Sequence, residues 1–256
     1  MLGIWEKKFP ETTLTRNDSL YLEIVTKKEP FFKRLSSKTN FIRIPSFRPT
    51  EKNRIDSLLA KHDKQIRTTQ NLIIDIRNGT GGSDGSSYGF IPYMYTNPIR
   101  HPGLKYRATE LNATYYEKYG NSDMARKMKE NADGYFETPK DAFLIKDVVK
   151  SKYPKKIAII CNKQNASADE GFLLMARQSY KVKIFGRPTA GAIDFSNVNI
   201  VDSPNGKYNL WITVSVRKEF QDYKIDDIGL QPDFFIDKSI KEEDWINFVQ
   251  NEIERE

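Results

Sequence analysis

The stretch Ile157-Ala158-Ile159-Ile160-Cys161-Asn162-Lys163-Gln164-Asn165-Ala166-Ser167-Ala168-Asp169-Glu170-Gly171 passes from a run of aliphatics into an amphipathic segment that continues to Gln178. A short unbroken apolar run reads as a strand buried on both faces, and the segment after it reads as a helix. Ser167 therefore sits at a strand-to-helix turn. The apolar residues of Val182–Phe185 complete a βαβ unit, and such units build parallel sheets covered by helices.

A second apolar strand, Leu72-Ile73-Ile74-Asp75-Ile76, runs into the glycine loop Arg77-Asn78-Gly79-Thr80-Gly81-Gly82. The loop is not a phosphate-binding P-loop, because no Gly-Lys-Ser/Thr follows it. Nor is it a dinucleotide fingerprint, because Asp84 stands at the third glycine position. Read alone it is equally a tight turn or a place where backbone N–H groups approach a ligand. Ser167 has a plain reading too, since Ser167-x-x-Glu170 is a capping box. The two readings are compatible. A serine at a helix N-terminus lies in positive potential that favours a developing oxyanion, and the N–H of Ala168 is a natural donor to it. One loop offering a nucleophile and another offering free N–H groups point to acyl transfer, above all to peptide hydrolysis by serine.

The rest of the chain is organised around these loops. Residues 1–47 read as a small β-rich segment, with strands at Tyr21–Val25 and Asn40–Ile44 and a basic turn from Lys27 to Lys38. Ile55, Leu58, Leu59 and Ile66 recur at helical spacing between Pro49 and Thr69, and Thr50 is the expected cap. Residues 83–103 read as loop. Residues 106–131 and 138–150 read as helical, which predicts a helical insert, 106–152, outside the sheet of a core spanning 48–240. Asn197–Val201 and Tyr208–Val216 read as strands, Gly229–Asp233 as a turn, and 241–256 as a final helix.

Composition narrows the function classes. The chain has 256 residues, with 41 basic against 34 acidic side chains and a net charge of +7. The charges are interspersed, which fits a solvated surface and not a nucleic-acid groove. The single cysteine, Cys161, excludes an intramolecular disulfide. No stretch approaches the ~20 apolar residues of a membrane helix, so stable membrane insertion is not expected. No signal peptide is visible at Met1-Leu2-Gly3-Ile4-Trp5, which implies a cytoplasmic protein unless a leader is missing. No cluster has metal-ligand spacing, and no metal or organic cofactor is indicated.

Taken together, Asp75-x-Arg77-Asn78-x-x-Gly81-Gly82, then Ala166-Ser167-Ala168-x-Glu170, then Gly186-x-x-Thr189-x-Gly191 and the closing Ile228-Gly229-Leu230-Gln231-Pro232-Asp233 resemble the S41 family of serine peptidases. These are the C-terminal processing (tail-specific) proteases and their tricorn-type relatives. The resemblance runs from about residue 40 to 237. It implies an α/β fold with a ClpP/crotonase-like core and Ser167 as nucleophile. It also implies an oxyanion hole from the Ala168 N–H and an N–H in the Gly81-Gly82 loop. A peptide or unfolded-protein substrate follows from it, as does a periplasmic or cell-envelope location if a leader is missing. Oligomeric state is left open.

The chain departs from the family at the general base. A lysine follows the Thr-x-Gly motif in the processing proteases, and Ala192 stands there here. A histidine precedes the first helix in the tricorn type, and Arg43 is the apparent counterpart. Two titratable candidates remain for the base, Asp194 and His101, while the only other histidine, His62, reads as surface. Two alternatives stay open: a peptide-binding pseudoprotease that has lost the base, and a crotonase-like acyl-thioester enzyme.

Overall fold

Asn71–Asp75 is buried at all five positions, which demands neighbours on both edges and both faces. The computed structural model, which describes residues 16–255 except 102, 139–143, 147 and 219–221, supplies them. In chain order the elements are helix α1 (Arg16–Thr26), strands β1 (Phe31–Arg34) and β2 (Thr39–Arg43), helix α2 (Lys52–Ile66), strand β3 (Asn71–Asp75) and short helical turns ending in α3 (Ile91–Met94). Strands β4 (Ile99–Arg100) and β5 (Leu104–Arg107), helices α4 (Glu110–Lys118) and α5 (Ser122–Glu130), and strands β6 (Tyr135–Glu137) and β7 (Leu144–Ile145) follow. Then come β8 (Lys156–Cys161), α6 (Ala168–Ala176), β9 (Val182–Gly186), β10 (Phe195–Asp202), β11 (Asn209–Arg217), β12 (Phe234–Phe235) and α7 (Trp245–Glu254).

The main sheet has the order β1-β2-β3-β8-β9-β12. All its pairings are parallel except β1 with β2. Side chains alternate across it, as strand geometry requires. Phe41, Ile73, Ala158 and Ile160 face Ile24 of α1 and Trp245, Ile246 and Val249 of α7. Ile42, Leu72, Ile74, Ile157 and Ile159 face Ile55 and Leu59 of α2 and Phe172 and Leu173 of α6. The result is an α/β/α sandwich, the class expected from the apolar runs. Strands β2, β3, β8 and β9 all end at one edge, the edge where parallel sheets place their ligand sites.

A second sheet, β10-β11-β5-β6, is antiparallel. Its third core cluster is Tyr106, Ala108, Ala113, Met128 and Val214, with Met124 of α5 packed against it.

Four expectations are corrected. Tyr21–Val25 is not a strand but part of α1, with Ile24 buried while Leu22 and Val25 are exposed. Burial there follows a helical period, not alternation. The basic turn from Lys27 to Lys38 contains β1, whose Phe31 and Phe32 pair with Arg43 and Ile42. Thr50 does not cap α2; it lies in the 3-10 turn Pro49–Glu51, and Glu51 at the N-cap makes no side-chain cap bond. The insert is not all helical. Its α4 and α5 are joined by β5 and β6, where Tyr106 stacks on Phe136 across the strands at 5.1 Å. In the expected helix 138–150, the described part includes strand β7, while 139–143 and 147 lie outside the described residues. No described helix is long and apolar enough to cross a membrane.

Candidate active site

Ser167 lies between β8 and α6, partly exposed, with φ +56° and ψ −119°. A positive φ is uncommon for a residue with a Cβ, and such strain, of order 1–3 kcal/mol, persists only where the surroundings over-determine it. Here they do. The Ser167 N–H donates to Oε2 of Glu170 at 3.0 Å. Glu170 is fully buried and also accepts from Gly191 N at 2.9 Å, Ala192 N at 2.9 Å and the Thr189 hydroxyl. That hydroxyl in turn accepts from Leu230 N at 2.7 Å. The Thr189-x-Gly191 and Ile228–Asp233 segments thus converge on one carboxylate that fixes the serine's backbone.

Asn165 secures the other side of the turn. It is buried, donates to Ile76 O at 2.6 Å and Asp169 Oδ2 at 2.8 Å, and accepts from Asn162 N at 2.8 Å.

The glycine loop packs against this turn. A Cβ at Gly81, where φ is +92°, would lie 2.9 Å from the Ser167 Cβ and 3.2 Å from Ala168 N. Gly81 is therefore dictated both by conformation and by closeness to the nucleophile turn. Gly82 answers to a different neighbour: a Cβ there would sit 2.2 Å from the Phe47 carbonyl, and Gly82 bridges to Phe47.

Beneath the loop lies Asp169, 1% exposed, with its carboxylate against Gly79. Burial pushes its pKa up to about 6, against the pull of Asn165, the Gly81 N–H and Arg43. Nothing in the sequence marked Asp169, because a buried carboxylate next to a cap reads as an ordinary first-turn acid.

No described side chain hydrogen-bonds to Ser167 Oγ as a base. Ala192 contributes only its N–H. Arg43, 2% exposed, donates to the Ile44, Asp75 and Arg77 carbonyls at 2.7 to 3.2 Å and ties the ends of β2 and β3 together.

Asp194 is given a different duty from the base expected of it. Its Oδ1 accepts from Arg217 Nε at 3.0 Å and Nη2 at 2.6 Å, and its Oδ2 from Ile225 N at 2.6 Å and Asp226 N at 2.8 Å. Although burial alone would raise its pKa, the Asp226 and Ile225 N–H groups and Arg217 hold it below the usual carboxylate range. A carboxylate so occupied is a poor proton acceptor.

His62 stacks on Phe32 at 4.0 Å on α2. His101 sits differently: its Nε2 is 3.3 Å from Asp84 Oδ2. Oδ1 of the same Asp84 lies 2.9 Å from where a Gly171 Cβ would stand, one helical turn beyond Ser167. The partner of His101 was missed in the sequence, where Asp84 mattered only as a broken glycine pattern.

Comparisons with known proteins bear on this geometry. The sequence model of peptidase family S41 matches residues 38–236. No curated protein matches the chain at a significant level. Among solved structures, the chain is similar to a candidate peptidase from Parabacteroides merdae, at 17% identity and TM-score 0.56, covering 93% of this chain and 68% of that one. It is similar to mature CPAF in complex with lactacystin, at 18% identity and TM-score 0.59, covering 83% and 50%. It is also similar to the photosystem II D1 C-terminal processing protease, at 16% identity and TM-score 0.53, covering 88% and 52%. The chain thus spans about half the length of the last two, and identities this low speak to the fold alone.

Proposed function

Because the chain belongs to peptidase family S41, we propose that it hydrolyses peptide bonds through an acyl-enzyme on Ser167. The observation that carries this reading is the strained Ser167 backbone, held by Glu170 at the start of α6 with the Gly81 backbone against it. In the proposed reaction Ser167 Oγ attacks the scissile carbonyl carbon, and its proton passes to a base and then to the leaving amine. Water releases the acyl group by the same route in reverse. The oxyanion takes hydrogen bonds from the Ala168 N–H and from one N–H of the Gly81-Gly82 loop. Gly81 is buried and Gly82 exposed, which favours Gly82 for that role.

The proposed base is His101, oriented by Asp84, whose carboxylate reaches Gly171 one helical turn beyond Ser167. Catalytic hydrogen bonds are often long in an unliganded site. The substrate is a peptide or unfolded protein, and cleavage near a C-terminus is the corresponding expectation for specificity.

A second reading is favoured by one observation, the alanine at position 192 in place of the processing-protease lysine. It makes the chain a peptide-binding pseudoprotease. Hydrolysis of an unfolded protein by wild type, Ser167→Ala and His101→Ala, followed across pH, separates the two. Activity lost in Ser167→Ala, with a limb near pH ~6.5 that is absent in His101→Ala, supports hydrolysis. Retained peptide binding without any Ser167-dependent turnover would leave the pseudoprotease.

A further inference from the structure

A cavity of about 520 Å³ opens at the carboxyl edge of the main sheet, above the ends of β2 and β3. Ser167 stands on the same edge, above the end of β8, the next strand along. The glycine loop separates them. Its Asn78 and Thr80 line the cavity, and the adjoining Gly81 touches the Ser167 turn. An extended peptide whose carbonyl reached Ser167 over this loop would place a neighbouring part of itself in the cavity.

The cavity's charge is one-sided. Five basic residues, Lys27, Lys28, Arg43, Arg48 and Arg54, line it against two acidic ones, Glu29 and Glu51. Arg54 takes up both acids, at 3.6 and 3.0 Å. Lys27 is paired with Glu23 at 2.9 Å, and Arg43 lies 3.5 Å from Asp75. Lys28 and Arg48 have no ion pair among the described residues and stand exposed at the mouth. Deeper in, the Arg43 side chain is 3% exposed, and its Nε has no acceptor among the described residues. Two unneutralised cations over a buried guanidinium, with Thr80 and Asn78 as neutral donors, fit a planar anion.

We propose that this cavity is a subsite for a carboxylate of the bound peptide, with Arg48 and Lys28 as its charged contacts. The proposal deepens the peptide-substrate reading of the Ser167 site and rests on it. Two sources share this chemistry: the peptide's terminal carboxylate and an acidic side chain a few residues from the scissile bond.

The test is direct binding to full-length Ser167→Ala, which removes turnover from the measurement. Short fluorescein-labelled unstructured peptides are compared in two pairs by fluorescence anisotropy at low salt. The first pair differs only in a C-terminal acid or amide, and the second, amidated throughout, only in an internal Glu or Gln. The expected result is a preference of about tenfold for the charged member of one pair, the worth of a charge-assisted hydrogen bond. A preference in the first pair assigns the terminal carboxylate, and one in the second assigns the side chain. The preference should vanish when Arg48→Ala is added. Equal affinities in both pairs, a preference that survives Arg48→Ala, or no binding of any peptide would overturn the subsite. Failure of the acyl-enzyme reading is seen separately, as wild-type protein without Ser167-dependent hydrolysis, and leaves these affinities unchanged.

Discussion

The two larger sheets of this protein are built from similar apolar strands and treat them in opposite ways. β3 is buried at every position, and β8 at every position but its first. In the β10–β11 hairpin, Ile200, Leu210 and Trp211 stand 43%, 62% and 68% exposed. The main sheet has helices on both faces, while α4 and α5 sit together against one cluster of the outer sheet. The proposed chemistry sits on the turn between β8 and α6, where strain at Ser167 is held by satisfied buried groups such as Glu170 and Asn165. The lesson is that placement between layers, more than apolar content, separates a rigid platform from its periphery.

Among the described residues, one buried ion pair joins the two regions. Asp194 belongs to the loop that follows Ala192, and Arg217 ends β11. Asp194→Ala leaves Arg217 uncompensated and frees the Ile225 and Asp226 N–H groups, so the largest loss is expected here, about 3–5 kcal/mol. Urea unfolding measures it. A near-neutral result would show that the outer sheet and the site loop are not coupled through this pair.

Within each sheet the contrast is sharper. Ile159→Ala, fully buried between the layers, is expected to destabilise by about 2–5 kcal/mol. Ile200→Ala on the outer hairpin should fall within about 0.5 kcal/mol of wild type. Similar losses at both positions would mean that a partner covers the outer face in solution.

Asp169 gives a smaller effect with a definite sign. Its pKa rises from an unfolded value near ~3.9 to about 6 in the fold. The folded state therefore holds the proton more tightly, and stability falls as pH rises between those values. The stabilisation from the bound proton is fully present below pH ~4 and is lost as pH rises through the folded pKa, a loss of roughly 2–3 kcal/mol at ~1.36 kcal/mol per pKa unit. Asp169→Asn should remove that slope, so the variant gains on wild type between pH 4 and 7 when both are melted with denaturant. A variant that tracks wild type at both pH values would place the proton elsewhere.

The main sheet was legible in the sequence because Leu72–Ile76, four aliphatics around Asp75, and the apolar run Ile157–Cys161 are short enough for strands and apolar enough for burial on both faces. Ser167 and the glycine loop were legible as turns, and their joint spacing made them a family pattern. What escaped detection depended on distant contacts. Phe31–Phe32 became a strand only because β2 pairs with it, and Tyr106–Phe136 is a cross-strand pair 30 residues apart. Asp194 looked like a free acid beside the site because Arg217, 23 residues on, is invisible to local reading. That His101 lies beside Asp84 is likewise set by the fold and not by local sequence.

The central claim is that Ser167 is an activatable nucleophile, and covalent labelling tests it most directly. Full-length protein is incubated with a fluorophosphonate probe, the intact mass is measured, and the adduct is mapped by peptide sequencing. One adduct per chain on Ser167, absent in Ser167→Ala while that variant's melting temperature stays within the few degrees expected from a change worth ~1 kcal/mol at a helix cap, is the predicted result. No adduct on Ser167 at any pH between 5 and 9, in protein shown to be folded, would contradict it.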